Sequence, residues 1–84
     1  MTRFVFSATA KKDIAELDTE VRRRMHKKII DLEKHPNIIS QLKKLTDHPS
    51  AEYRLRIGDY RLLIDMQGDT VYILRVRHRR DVYR

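Results

Sequence analysis

The sequence contains no cysteine and only two glycines and two prolines among its 84 residues. Without cysteine there is no disulfide framework, no thiolate zinc site and no cysteine nucleophile. The scarcity of glycine and proline argues against disorder and against a glycine-rich phosphate loop. No apolar run approaches the ~20 residues of a membrane span, and residues 1–6 are too short for the apolar core of a signal peptide. We therefore expect one small cytoplasmic domain over residues 1–84, with no membrane partner.

Positive charge is abundant, since 19 Lys and Arg oppose 12 Asp and Glu for a net charge of +7. In so small a domain this balance predicts a polyanionic partner. Every lysine lies at or before Lys44. From Tyr53 onward all the basic residues other than histidine are arginines. Arginine grips phosphate with two parallel hydrogen bonds and stacks on bases, so the second half of the chain carries the more specific signal.

The first half of the chain has the apolar spacing of helices. A short strand is predicted at residues 4–6. Ser7 can cap a helix over residues 8–17, because its oxygen can accept an orphan backbone N–H. Asp18-Thr19 marks a break and a fresh cap. The second helix ends before Pro36, since proline disfavours helical backbone in the residue before it. The two helices should form a hairpin with one apolar face.

From residue 53 the apolar period changes to two, which predicts strands. Three strands are expected, at residues 53–57, 60–66 and 70–77. The turns between them fall at Gly58-Asp59 and at 67–69, and a glycine in first position suits a type II′ hairpin. Strict alternation would put Val71 and Ile73 on one face of the last strand. Tyr72, Leu74 and Val76 would then lie on the other face.

The predicted fold class is α+β in the order β-α-α-β-β-β, an antiparallel sheet with an N-terminal helical hairpin packed on one face. Residues 37–52 are open between one or two helical turns and an irregular segment, with turn chemistry at 47–50.

Arginines recur on alternate positions of the predicted sheet. Arg54 and Arg56 share one face of their strand, opposite its apolar residues. Arg61 joins that face in one register of the hairpin and leaves it in the other. Two interpretations stay open: a solvated sheet face carrying long charged side chains, or a concave phosphate-binding surface.

Three fragments carry a family resemblance: Lys43-Lys44-Leu45, Tyr53-Arg54-Leu55-Arg56-Ile57-Gly58-Asp59-Tyr60-Arg61 and His78-Arg79-Arg80-Asp81-Val82-Tyr83-Arg84. In order and spacing they resemble the RelE/ParE superfamily of toxins from toxin–antitoxin pairs, the RelE branch more than the ParE branch. The resemblance covers nearly the whole chain and implies the RelE-like fold. It also implies a ribosome-dependent mRNA endonuclease that cuts in the A site and is neutralised by an acidic, RelB-like antitoxin. In such enzymes a 2′-hydroxyl attacks the adjacent phosphate, with no metal and no small-molecule cofactor.

The resemblance places the catalytic positions on arginines and a tyrosine: Arg54, Arg56, Arg61, Arg79 or Arg80, and Tyr83. Guanidinium donors can stabilise the charge that builds on phosphate oxygens during in-line attack. Arginine, however, does not give up its proton in proteins. A general base would therefore be His78, of a residue type that titrates near neutral pH, or Tyr83, or a group of the ribosome.

Further basic residues are predicted to contact RNA: Arg77, Arg80, Lys43, Lys44, Arg23 and Lys27. Arg77 departs from the family pattern, in which many relatives carry glycine. For Arg23 and Lys27 the alternative is a solvated helix face. His26, His35 and His48 show no metal-ligand spacing, and no metal site is predicted.

Two other functions remain open at this stage. The first is inhibition of DNA gyrase, as implied by the ParE branch of the same superfamily. The second is a non-catalytic module that binds RNA or the ribosome, which would show salt-dependent binding without cut RNA ends.

Overall fold

The structure is a computed structural model that describes residues 2–46 and 51–82. Residues 81 and 82 are described by their backbone alone. Its elements follow in chain order: β1 (Arg3–Phe6), α1 (Ala8–Ala15), α2 (Thr19–Glu33), a 3-10 helix (Ile38–Gln41), β2 (Lys43–Lys44), β3 (Tyr53–Ile57), β4 (Tyr60–Gln67), β5 (Thr70–His78) and α3 (Arg79–Val82). The predicted turn at 47–50, together with Tyr83 and Arg84, lies outside the described residues. No helix in the described ranges is long and apolar enough to cross a membrane.

The five strands form one sheet in the order β1-β5-β4-β3-β2. The predicted α+β fold, with its helical hairpin on one sheet face, is confirmed. One expectation is corrected, because β1 pairs with β5 in parallel while the other three pairings are antiparallel. A parallel pairing needs a long crossover between its strands, which the intervening helices and meander provide here.

Both hairpins of the meander turn through a two-residue Gly-Asp loop. Gly58 and Gly68 have φ of +58° and +56°, and no other described residue has positive φ. A type I′ turn would need positive φ at both central residues, so both are type II′ turns, as expected at Gly58-Asp59. A Cβ built on either glycine meets nothing within 4 Å. The dihedral angle, rather than lack of space, is therefore what calls for glycine at both positions.

The helix starts differ in their caps. Ser7 accepts a hydrogen bond from the Ala10 backbone N–H at 3.0 Å, as predicted, and also donates to the Leu74 carbonyl at 2.9 Å. Asp18 stands at the N-cap of α2 but makes no side-chain capping bond. The first helix is thus fixed to the sheet by its cap, whereas the second is held by its apolar face.

The core lies between the helices and one face of the sheet. Helical residues Met25, Ile29 and Leu32 are buried in one cluster with sheet residues from β3, β4 and β5. The interior members of the sheet are Leu55, Leu62, Ile64, Val71, Ile73 and Val76. The opposite sheet face carries the arginines of β3 and β4 together with the partly buried Val5, Leu63 and Tyr72.

The segment left open by the sequence divides into a 3-10 turn and a short edge strand. Ile38 is buried in the core and anchors the turn. Lys43 and Lys44 then pair with Arg54 and Tyr53 and close the sheet at its edge, with both lysine side chains exposed.

The register of β5 changes beside Leu74. Leu63 pairs with Arg75, but the next residue, Ile64, pairs with Ile73, so Leu74 is an extra residue in the strand. Such a bulge reverses the alternation of side chains. Val76 is therefore buried with Val71 and Ile73, and its predicted place on the face of Tyr72 and Leu74 is wrong.

Candidate nucleic-acid interface

Three arginines stand in one row across the three central strands. Arg56 on β3 pairs directly with Arg61 on β4, and Arg61 pairs with Arg77 on β5. Directly opposed residues of an antiparallel pair have Cβ atoms about 4.5–5.5 Å apart. The hairpin register thus resolves the alternative left by the sequence, since Arg61 shares the face of Arg54 and Arg56. We call Arg56, Arg61 and Arg77 the arginine row.

The middle member of the row is buried. Arg61 is only 8% exposed, whereas Arg56 is exposed and Arg77 is half-buried. Like charges placed directly opposite each other destabilise a sheet. Charges shielded from water also interact more strongly with whatever lies near them. The row therefore places three arginines side by side, with the middle one shielded from water.

A second line of residues runs beside the row. Lys43, Arg54, Leu63 and Arg75 are successive register partners across β2, β3, β4 and β5. Arg75 is turned toward α1, where its Nε donates to Asp13 Oδ2 at 2.9 Å and its Nη2 donates to Oδ1 at 3.3 Å. We call Lys43, Arg54 and the arginine row together the arginine face.

The turn between β3 and β4 connects the row to the last helix. Arg56 Nε donates to the Gly58 carbonyl at 3.2 Å. The Arg79 backbone N–H donates to the Asp59 carbonyl at 2.7 Å, where α3 begins. The side chains of Arg79 and Arg80 are exposed. The Gly58-Asp59 loop therefore fixes the start of α3 at the same end of the sheet as Arg56.

His78 lies on the other face of β5. It pairs with Tyr60, one position along from the Arg61 and Arg77 pair. Its ring meets that of Tyr60 edge-on, with centroids 5.1 Å apart and an interplanar angle of 89°. Its Nδ1 accepts from the Arg80 backbone N–H at 3.2 Å, so the neutral ring carries its proton on Nε2. The structure therefore separates this candidate base from the arginine row.

The predicted helix contacts are also separate from the arginine face. Arg23 and Lys27 are exposed on α2, which packs against the opposite side of the sheet. Arg23 lies 3.9 Å from Glu20 in an exposed pairing that contributes little. Lys44 is the register partner of Tyr53 and so points to the helix side of the sheet edge. Tyr83 lies outside the described residues.

One residue of this region was missed in the sequence. Asp13 lies three residues after Ala10 and four before Leu17, and so on the same side of α1 as those apolar residues. An acid inside an apolar stripe was the signal that could have singled it out. Its carboxylate accepts from Arg75 and also from the Val76 backbone N–H at 2.9 Å.

The fold and the arginine face define a small α+β domain with positive charge concentrated on one face of its sheet. The sequence model described as ParE toxin of type II toxin–antitoxin system, parDE, matches residues 4–83. Toxin RelE3 of Methanocaldococcus jannaschii is 33% identical over 85 residues, covering 96% of this chain and 94% of that protein.

Solved structures of toxin–antitoxin complexes also match this chain. The toxin in the RelB–RelE antitoxin–toxin complex from Methanococcus jannaschii matches with a TM-score of 0.71 and 30% identity, over 94% of each chain. The toxin–antitoxin complex RelBE2 from Mycobacterium tuberculosis matches with a TM-score of 0.78 and 29% identity, over 92% of this chain and 96% of the other. This chain therefore belongs to the RelE/ParE superfamily of toxins from type II toxin–antitoxin systems, as the sequence motifs indicate.

Proposed function

We propose that this toxin is a ribosome-dependent endonuclease that cuts mRNA in the A site, and that the arginine face holds the scissile phosphate. The observation that carries the proposal is the arginine row, in which three guanidinium-bearing residues stand side by side on three strands. Guanidinium groups match the geometry of phosphate oxygens and bind them with paired hydrogen bonds.

In the proposed reaction a ribose 2′ oxygen attacks the neighbouring phosphorus. The new bond to phosphorus forms as the bond to the leaving 5′ oxygen breaks, and negative charge builds on the non-bridging oxygens. Guanidinium donors fixed in place before the reaction stabilise that charge without reorganising. Arg61 supports this role best, because its burial restricts the side chain between two other arginines. The reaction as written uses no metal.

The proton of the attacking 2′-hydroxyl needs an acceptor. Every residue of the arginine face is a cation, and arginine does not act as a base at neutral pH. His78 is on the opposite side of β5 and its Nδ1 is already hydrogen-bonded. We therefore assign the proton acceptor to Tyr83 or to a group that the ribosome supplies. Arg79 and Arg80 begin α3 beside the Gly58-Asp59 loop. We assign them contacts with the flanking nucleotides.

An acidic antitoxin is the proposed protein partner. Solved relatives are complexes of RelE with RelB. An extended acidic segment laid over Lys43, Arg54 and the row would neutralise charges that repel one another in the free toxin. The same surface would then be closed to RNA.

The experiment is cleavage of mRNA bound in the A site of purified ribosomes, with the cut ends mapped by primer extension. Arg56→Ala should lower the rate about 10²-fold, because it removes one preorganised donor. Arg22→Ala is the matched control, since it removes an exposed arginine from the outer side of α2. The proposal fails if a folded Arg56→Ala and Arg61→Met double variant cuts like the wild type.

A second candidate is inhibition of DNA gyrase, which the match to the ParE family model favours. Induction in cells distinguishes the two. An mRNA endonuclease stops protein synthesis at once, whereas a gyrase inhibitor triggers DNA damage while translation continues. Tight, salt-dependent ribosome binding without cut RNA ends would instead identify a non-catalytic binder.

A further inference from the structure

The bulge at Leu74 decides on which face of the sheet the Arg77 side chain lies. If side chains alternated strictly from Val71, residues 75 and 77 would lie on the core side of β5 with Val71 and Ile73. The extra residue reverses that order, so Val76 enters the core and Arg77 faces Arg61. The arginine row therefore has three members only because β5 is irregular at one position.

The bulge occurs where β5 loses its neighbour on one side. The pairing of β1 with β5 ends at Phe6 and Ile73. Beyond that point the strand edge is covered by α1, the element with which β5 makes the bulk of its helix packing. Backbone groups on this edge then need partners other than a strand.

Ser7, which caps α1, and Asp13, which lies within α1, supply those partners. Ser7 donates from Oγ to the Leu74 carbonyl at 2.9 Å. Asp13 accepts the Val76 backbone N–H at 2.9 Å through Oδ2, and the same carboxylate holds the Arg75 guanidinium in two contacts. Backbone groups on both sides of the Arg75 position are thus fixed to α1 and its cap.

The Asp13 carboxylate is suited to this task by its surroundings. Its side chain is only 15% exposed, so its hydrogen bonds are largely protected from water. The contact with Arg75 also draws one arginine of the outer face toward α1 and gives it a counter-charge. Arg75 and Arg77 share a strand face by sequence, yet only Arg77 joins the row.

We propose that Asp13 is a positioning residue that fixes the bulge of β5 and thereby aims Arg77 at the bound phosphate. The conformational part concerns this chain alone. The catalytic part rests on the proposed endonuclease function. Asp13 touches no RNA in this proposal, since it acts through the Val76 amide and the Arg75 guanidinium.

Hydrogen exchange and side-chain contacts measured by NMR test the conformational part. In Asp13→Ala the Val76 amide should exchange at least about tenfold faster, as expected for a lost protecting hydrogen bond. Contacts between the Arg77 and Arg61 side chains should weaken at the same time. Asp31→Ala, which removes an exposed acid from α2, is the matched control and should change neither. A protected Val76 amide with unchanged Arg77 contacts in folded Asp13→Ala overturns the proposal, whatever the RNA assay gives.

Cleavage kinetics test the catalytic part. Asp13→Ala should lower kcat about tenfold or more, since small misplacements of a catalytic group have effects of this size. In an Arg77→Ala background the same change should matter by less than about twofold, because the residue it positions is gone. Equal effects in both backgrounds would show a general loss of stability and would refute the positioning role.

A conservative variant guards against misfolding of the alanine variant. Asp13→Asn keeps an acceptor for the Val76 amide but not the carboxylate that holds Arg75. Its exchange rate and its kcat should fall between those of wild type and Asp13→Ala, and identity with wild type in both would refute the role of the Arg75 contact. If wild-type toxin cuts no RNA, the proposed function fails while the exchange measurement still decides the role of Asp13.

Discussion

Arg56 and Arg61 face each other directly across the β3–β4 hairpin, one pair away from the Gly58-Asp59 loop. A hairpin gains stability from cross-strand partners that attract, and this one opposes two like charges. Under the proposed function Arg56 serves the phosphate rather than the hairpin, so its replacement should affect activity and stability differently.

Replacing Arg56 by alanine should separate these two properties. Because Arg56 is exposed and opposes a like charge, the free energy of unfolding should stay level or rise by about 0.2–1 kcal/mol. RNA cleavage should fall by about 10²-fold in the same variant. Urea unfolding and the ribosome assay check the two outcomes. A clear loss of stability would show that Arg56 serves the fold rather than the phosphate.

The two Gly-Asp turns offer a matched pair of variants. Gly58→Ala and Gly68→Ala should each destabilise the domain by about 1–2 kcal/mol, because both glycines have positive φ. Only the first should also impair cleavage beyond its effect on stability, because the Gly58 carbonyl accepts from Arg56 and the next carbonyl accepts from Arg79. Thermal unfolding and cleavage rates at a temperature where both variants are folded provide the comparison. Equal cleavage by the two variants would contradict a role for this turn in the site.

The helix caps should differ in their response to salt. Ser7→Ala should lose about 1–2 kcal/mol, because it removes a capping bond and a contact to the Leu74 carbonyl. Asp18→Ala should lose only about 0.3–1 kcal/mol, from the attraction between its charge and the helix dipole. Unfolding in low and high salt checks this, since screening should remove the Asp18 effect and leave the Ser7 effect in place. A salt-sensitive Ser7 variant would count against the cap.

Replacement of His78 should spare the chemical step. In His78→Gln the cleavage rate should stay within about tenfold of wild type, well short of the 10²- to 10⁴-fold loss typical of a missing general base. The reason is its place on the Tyr60 side of β5, away from the arginine row. Cleavage measured between pH 5.5 and 8 is the check. Loss of a titration near neutral pH, together with a large drop in rate, would identify His78 as the base after all.

Much of this fold follows from local pattern. Helix spacing, the period-two strands and the two Gly-Asp turns each depend on neighbours within a few residues, so the sequence suffices to predict them. The two-residue strand β2 has too short a pattern to be recognised. It forms because Lys43 and Lys44 pair with β3, a tertiary contact that local sequence does not encode.

The site was harder to predict for a similar reason. That Arg54 and Arg56 share a face follows from alternation alone, but the place of Arg61 required the hairpin register. Arg77 required the bulge at Leu74, which depends on Asp13, 64 residues earlier in the chain than Arg77. Long-range contacts of this kind leave little trace in a single sequence. The candidate site residues themselves come from the family resemblance and stay predictions.

The short strand β2 has a consequence for the toxin on its own. A sheet edge normally exposes unpaired backbone groups that can recruit another chain. Here β2 covers Tyr53 and Arg54 of β3 with two residues, both lysines with exposed side chains. A second copy approaching this part of the edge would meet charge of its own sign. The two exposed lysines of β2 therefore oppose self-association of the toxin at this part of the sheet edge.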